Sequence, residues 1–299
     1  MLDRFQLEAF ATVVEMQSFD RAAAVLHITR GAVSQRIKSL EQSMATVLLI
    51  RSKPLELTPA GEVLMRHVKA LRLLEFDMLT ELTPAGGDTR RRIAIAVNPD
   101  SLATWLPEAL WSLLSEKKAA VEVIVDDEDY TDERLTKGEV VGCISTEPTA
   151  ASGFHSEFLG AMSYRCYATP DFIRRHFPDG VNANSVLQAA AVLFDRKDSL
   201  HSAYLQRRLG FTIGQFPRHY LPAPSTLLEA ITRGEGYGLV PESQGAPFVA
   251  RGVLMELEPR EALMVDLYWH HWLNEHELSR DVTQRVLGAA RPALCQTQN

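Results

Sequence analysis

Apolar positions recur at helical spacing through residues 1–82 and in short strand-like runs afterwards. Phe5, Leu7, Phe10, Val13 and Val14 predict a first helix. Ser18 stands as an N-cap before "FDRAAAVLH", where Ala22, Ala23 and Leu26 offer a small-sided packing face. Thr29 caps a third helix whose inward stripe is Val33, Ile37 and Leu40, at i, i+4 and i+7. "VLLIRSKPLELTPAG" then breaks into short apolar pieces around a proline turn, the pattern of a small β-hairpin wing. Residues 1–58 read as three short helices and a wing.

Thr58, Pro59 and Ala60 start a long helix, with a capping hydroxyl and proline at the first helical position. Leu64, Val68, Leu71, Met78 and Leu82 follow a 4-3 repeat, interrupted at Glu75. About three heptads of this kind can pair two helices. Residues 59–84 are therefore predicted to dimerise, with Leu64, Val68, Leu71 and Met78 as the seam; burial against the same chain is the alternative. "TPAGGDTRRR" follows as a linker, with the hinge at 85–90. From Arg91 onward, β-branched runs alternate with helical stretches: "RRIAIAV" then 102–116, "VEVIVD" then 130–138, and so on to "LMVDLYWH" then 276–290. This alternation predicts βαβ units and mostly parallel sheets. Trp105 and Trp111, six apart on the first of these helices, are expected in its core.

Length and composition narrow the classes. The chain has 299 residues, 46% hydrophobic and 23% charged, enough for two or three cored units. Its three cysteines, Cys143, Cys166 and Cys295, are widely spaced and form no CxxC pair, so neither a disulfide framework nor a zinc motif is written in the sequence. Asp3, Arg4 and Glu8 interrupt the N-terminus where a signal peptide needs an apolar run. No segment approaches the roughly 20 apolar residues of a membrane span. A cytoplasmic protein is expected.

The formal net charge is -7, yet Arg21, Arg30, Arg36 and Lys38 lie in a stretch with no acid. A capped basic helix after a short helix and a tight turn is the layout of a helix-turn-helix, whose second helix enters the major groove of DNA. Gln35 can pair bidentately with adenine, and Arg30 or Arg36 with guanine or phosphate. Ser34 can donate to a phosphate. Arg51 and Lys53 in the wing extend the basic face. Solvation alone is the competing explanation for such cations.

"RAAAVLHITRGAVSQRIKSLEQSMATVLLIRSKPLELTPAGEVL" resembles the N-terminal domain of the LysR-type transcriptional regulators, and the order of domains is also theirs. Arg30 departs from the pattern, standing where a smaller or uncharged polar residue is usual, so the preferred operator bases differ. The resemblance implies an α+β protein: a winged helix-turn-helix, a dimerising linker helix, and two α/β lobes of the periplasmic-binding-protein type. Lobe I would comprise 91–163 and 267–299, and lobe II 164–266. Within the family, "IAVNPDSLATW", "ERLTKGEVVGCIS" and "LYWHHWL" resemble the ArgP/LysG subgroup. That subgroup responds to lysine and arginine and controls export of basic amino acids; some members were named inhibitors of chromosome replication initiation.

In such folds the ligand sits at strand ends and helix N-termini. The residues there are Asn98, Asp100 and Ser101; Asp127 and Glu128; Ser145; Phe194 and Asp195; and Ser225 with Thr226. Acids at strand ends suit a cationic ligand, and Asp127, Glu128 and Asp195 are expected near its ammonium or guanidinium, with Ser101 and Thr226 near its carboxylate; a solvated capping loop is the other reading of "DDED". Adjacent His270 and His271 point to opposite faces of a strand and are not expected to chelate one metal. "RGEGYG" lacks a strand–GxGxxG–helix setting. No catalytic triad stands out. The expected protein is a regulator rather than an enzyme, without metal or cofactor. Its partners are double-stranded DNA, a small-molecule effector, further copies of itself (dimer or tetramer) and RNA polymerase. An origin-binding or nucleoid protein without effector, and a binding protein or enzyme on the two-lobe fold, remain as alternatives.

Overall fold

The computed structural model describes residues 2–50, 52, 54–82, 91–116, 119–125, 128–136, 138–151, 153–275 and 277–296. The predicted hinge, 85–90, lies outside them. The chain divides into two compact units, Met1–Thr89 with Glu133–Val141, and Arg90–Asp132 with Gly142–Asn299.

The first unit opens with α1 (Arg4–Met16), α2 (Phe19–Val25) and α3 (Arg30–Ser43). Each start is fixed by a side chain. Asp3 accepts from the backbone N–H of Phe5 and Gln6, Ser18 from Arg21, and Thr29 from Ala32 at 3.1 Å. The turn between α2 and α3 passes through His27 at φ 53. Phe10, Val13, Ala22, Val33, Ile37 and Leu40 are buried together, the alanines letting α2 approach its neighbours closely. The wing is a two-stranded antiparallel ribbon, β1 (Leu49–Ile50) and β2 (Glu56–Leu57). It is tied to α3 by Glu41, whose Oε1 accepts from Leu48 N at 2.9 Å. Helix α4 (Pro59–Leu82) has 24 residues. Arg72 on α4 donates to Glu8 at 2.7 Å and to Glu15 at 2.6 Å, and Arg4 donates to Glu75 at 3.0 Å. Glu75, the break in the apolar repeat, is thus a partner for α1.

The second unit runs β3 (Arg91–Val97), α5 (Pro99–Ala103), α6 (Leu106–Ser115), β4 (Ala119–Val125), α7 (Glu128–Thr136), β5 (Gly142–Ser145) and β6 (Phe154–Ala168). It continues with α8 (Pro170–His176), α9 (Ala183–Gln188), β7 (Ala191–Leu193), α10 (Leu200–Leu209), β8 (Arg218–Tyr220) and α11 (Pro224–Thr232). It ends with β9 (Gly238–Pro241), α12 (Glu242–Ala250), β10 (Met255–Glu256), β11 (Leu263–Trp272) and α13 (Glu277–Ala293). The main sheet has the order β10-β6-β11-β5-β3-β4, with β9 also on β6.

The expectation of mostly parallel sheets is corrected. The pairs β3–β4, β3–β5 and β7–β8 are parallel, but β6 pairs antiparallel with β9, β10 and the whole of β11, and β11 pairs antiparallel with β5. Alternating elements cannot reveal this, because β6 is one strand of 15 residues where the apolar pattern marks only its last part. The β6–β11 register shifts at Leu267/Tyr268, opposite Gly160. Gly160 has φ +129, and a Cβ there would meet Leu294 Cβ at 2.6 Å, so this bulge requires glycine. The predicted single helix 102–116 is two, α5 and α6, broken at Thr104 and Trp105. Trp105 is buried as expected, whereas Trp111 is 62% exposed.

Candidate functional site

The face of α3 away from Val33, Ile37 and Leu40 presents the predicted DNA contacts. Gln35 and Lys38 are exposed, Ser34 and Arg36 half-exposed, and Arg21 exposed on α2. The guanidinium of Arg36 lies over the ring of Phe5, 5.3 Å from its centre. Phe5, expected in the helical core, is exposed on that side instead. A ring under the guanidinium limits its sweep while leaving its N–H edges free to donate. Arg30 pairs with Asp20 at 3.5 Å, both well exposed. Asp20 falls one residue before the acid-free stretch, so it offsets a charge that the sequence alone assigned to the basic face. Arg51 and Lys53 lie outside the described residues.

The predicted seam is corrected for two of its four residues. Leu64 and Val68 are 5% and 3% exposed and belong to the core of α1–α3. The first turns of α4 act as a fourth helix of that core, which a repeat read along one helix cannot distinguish from an intersubunit stripe. Leu71 and Met78, 49% and 51% exposed, remain open.

In the second unit, Asn98 is the buried N-cap residue of α5, Pro99 its first residue and Asp100 its second. Tyr164 on β6 donates its hydroxyl to Asp100 Oδ2 at 2.7 Å. Burial holds the Asp100 carboxyl above its ordinary range; nearby Asp198 pushes the same way, and the Tyr164 hydrogen bond opposes both. Helices α11 and α12 lie close, with α11 packed on α5 and Gln244 donating to the Ala103 carbonyl at 3.3 Å. Ser225 and Thr226 are exposed in the first turn of α11.

Other predicted site residues have different roles. Ser101 is fully buried, and its Oγ accepts from Trp105 Nε1 at 3.2 Å. Ser145 is also buried and donates to Asp132 at 2.9 Å, with Glu147 N on the same oxygen, so its hydroxyl is already occupied. Asp195 Oδ1 accepts from Lys197 N and Asp198 N, folding its own turn. Phe194 packs partly buried against the core around Tyr167 and Leu227. Asp127 lies outside the described residues, as does the side chain of Glu128.

Sequence reading missed Asp198 and Tyr164. Burial raises the Asp198 carboxyl, while its hydrogen bonds from Phe194 N, His201 N and Leu200 N pull the other way and Asp195 adds to the rise. The signal in "DRKDS" was one of two aspartates, three residues apart; only folding decides which carboxyl is raised by desolvation.

Two family profiles cover nearly the whole chain. Residues 5–62 match the bacterial regulatory helix-turn-helix protein, lysR family, and residues 86–290 match the LysR substrate binding domain. The chain belongs to the LysR family. Within it, the chain is ArgP-like: it is 39% identical over 293 residues to the HTH-type transcriptional regulator ArgP of Aeromonas salmonicida, spanning 98% of each chain. The crystal structure of ArgP from Mycobacterium tuberculosis superposes with a TM-score of 0.90, 35% identity and full coverage of both chains. Full-length LysG from Corynebacterium glutamicum with arginine bound as effector gives 0.87 and 30%, covering 98% of this chain and 99% of that one. As a LysR-family protein the chain is a DNA-binding transcriptional regulator with a small-molecule effector domain, not an enzyme. No helix among the described residues is long and apolar enough to cross a membrane.

Proposed function

We propose that this LysR-family regulator senses a basic amino acid, arginine or lysine, and controls genes that include a basic amino acid exporter. The supporting observation is the half-buried acid Asp100 in the first turn of α5, just beyond β3, whose carboxyl is raised by burial and by Asp198, with α11 packed on α5. A desolvated carboxylate recovers its lost hydration from a ligand cation. The exposed hydroxyls of Ser225 and Thr226 suit the ligand carboxylate. The arginine bound to LysG of Corynebacterium glutamicum supports the same ligand class. Lobes at 91–163 with 267–299 and at 164–266 would close on the ligand, and the effector shifts the equilibrium only by its preference for one state. The protein acts in the cytoplasm as a dimer or tetramer that works with RNA polymerase. Calorimetric titration with arginine, lysine and norleucine tests the reading. Binding of a basic amino acid well above norleucine supports it; equal affinity, or no heat at millimolar ligand, refutes it.

On the DNA side, Gln35→Ala and Arg36→Ala should each cost about 1–3 kcal/mol of specific binding and relax preference at one base pair. Footprinting of the operator reads this directly, and wild-type protection by both variants would remove α3 from the groove. For assembly, Leu71→Glu places a charge in the remaining exposed stripe of α4. It should lower the oligomer mass by light scattering without unfolding the head, since Leu71 lies outside the head core. An unchanged mass with unchanged DNA affinity would exclude Leu71 from the interface.

A further inference from the structure

Asp132 on α7, Cys143 on β5 and His270 on β11 bring a carboxylate oxygen, a sulfur and a ring nitrogen within 4.8 Å of one another. No spacing in the sequence announces them, because three separate elements supply one donor each. Cys143 and His270 are buried, while the Asp132 side chain is 34% exposed and gives an ion a way in. We infer that this cluster binds one borderline transition-metal ion of the zinc class.

Three features carry the inference. The first is the donor set: imidazole, thiolate and carboxylate in a partly enclosed site suit zinc-like ions, and three protein ligands leave a fourth position for water. The second is the surrounding shell. His270 Nε2 lies 2.8 Å from the Glu147 carbonyl, so it donates there and presents Nδ1 to the cluster. Asp132 Oδ2 is held by the Ser145 hydroxyl at 2.9 Å. Ligating histidines and carboxylates are ordinarily oriented in this way. The third is the contact between His270 Nδ1 and Asp132 Oδ1 at 2.7 Å, with Cys143 Sγ 3.4 Å from the same oxygen. A neutral ring donating through Nε2 would aim a lone pair at that oxygen. A metal ion between these two atoms would be bound by both. Zinc bond lengths of about 2.0–2.3 Å require donors somewhat more than 3 Å apart. The sulfur contact already fits, and the nitrogen–oxygen contact opens by a fraction of an ångström.

The exchange balances as metal for protons. The ion takes the thiolate of Cys143 and Nδ1 of His270, releasing the thiol proton and any proton shared between Nδ1 and Asp132. Binding of the ion is therefore coupled to proton release. His271, one residue on, turns to Glu157 and Glu275 and takes no part.

The test is titration of the metal-free, tag-free full chain with cobalt(II), then zinc. The expected result is one equivalent of cobalt per chain, with a thiolate-to-cobalt charge-transfer band in the near ultraviolet that zinc abolishes. Cys143→Ser should lose the band, and Cys166→Ser and Cys295→Ser should keep it. Absence of the band in wild type, with a proton alone filling the cluster, overturns the proposal. So does a band that survives Cys143→Ser or disappears in Cys295→Ser. The wild-type titration decides even where a variant fails to fold.

Discussion

Asp100→Asn should weaken arginine and lysine binding by about 2–5 kcal/mol, the usual cost of removing one partner from a desolvated charge pair. The free variant should melt no lower than wild type. Burial raises the Asp100 carboxyl, so its charge works against folding, and asparagine retains an oxygen for the Tyr164 hydroxyl. Tyr164→Phe should have a smaller effect on affinity. The pH dependence has a definite sign. Only the ionised carboxylate pairs with the cation, so affinity falls as pH drops through its raised pKa, beginning above the ordinary aspartate range near 3.9. Titrations at several pH values check both points. An Asp100→Asn variant with wild-type affinity would place the cationic group of the ligand elsewhere, without touching the DNA-binding assignment.

His201→Leu should flatten the acid side of the stability curve. His201 is wholly buried, stacked on Phe216, and neither ring nitrogen has a hydrogen-bond partner. Burial, reinforced by Arg218, lowers its pKa from 6.5 to about 3. The folded state therefore holds the ring neutral, while the unfolded chain protonates it at ordinary acidity. The neutral ring's contribution is fully present above pH 6.5 and is lost as pH falls from there toward 3. Each pH unit in that window costs about 1.4 kcal/mol, so wild type should lose about 5 kcal/mol through this residue. Urea melts at pH 7, 5 and 4 measure the slopes. Equal slopes in wild type and His201→Leu would mean that water reaches the ring and lets it protonate in place.

What could be read from the sequence was local. Thr29 caps α3 through a hydrogen bond to a residue three positions on, and Val33, Ile37 and Leu40 meet the same core because they share a helix face. Such relations need no knowledge of distant parts of the chain. Leu64 and Val68 were ambiguous because a helix stripe records only that something covers it. Asp195 and Asp198 could not be ranked, since a turn of the backbone decides which carboxylate is enclosed. Ser145 was legible as a strand-end hydroxyl but not as the partner of Asp132, thirteen residues earlier on another element. The expectation that His270 and His271 serve different surroundings agrees with their separate partners, Asp132 for one and Glu157 with Glu275 for the other. That reasoning compared the histidines only with each other, so it could not register the cysteine across the sheet.

The bonds from Arg72 to Glu8 and Glu15, with Arg4 on Glu75, fasten α1 to the middle of α4, while Leu64 and Val68 root its beginning in the head. A handle fixed at two heights cannot swivel against what it holds. Torque applied along α4 is delivered to the recognition helix with little lost in a joint, and the head turns as far as the shaft turns. In the dimer proposed above, operators whose half-sites differ in spacing would then be accommodated by how two shafts splay from each other. Loosening this grip with Arg72→Ala would give the head its own freedom and, in the proposed dimer, blur its ruler for distance along DNA.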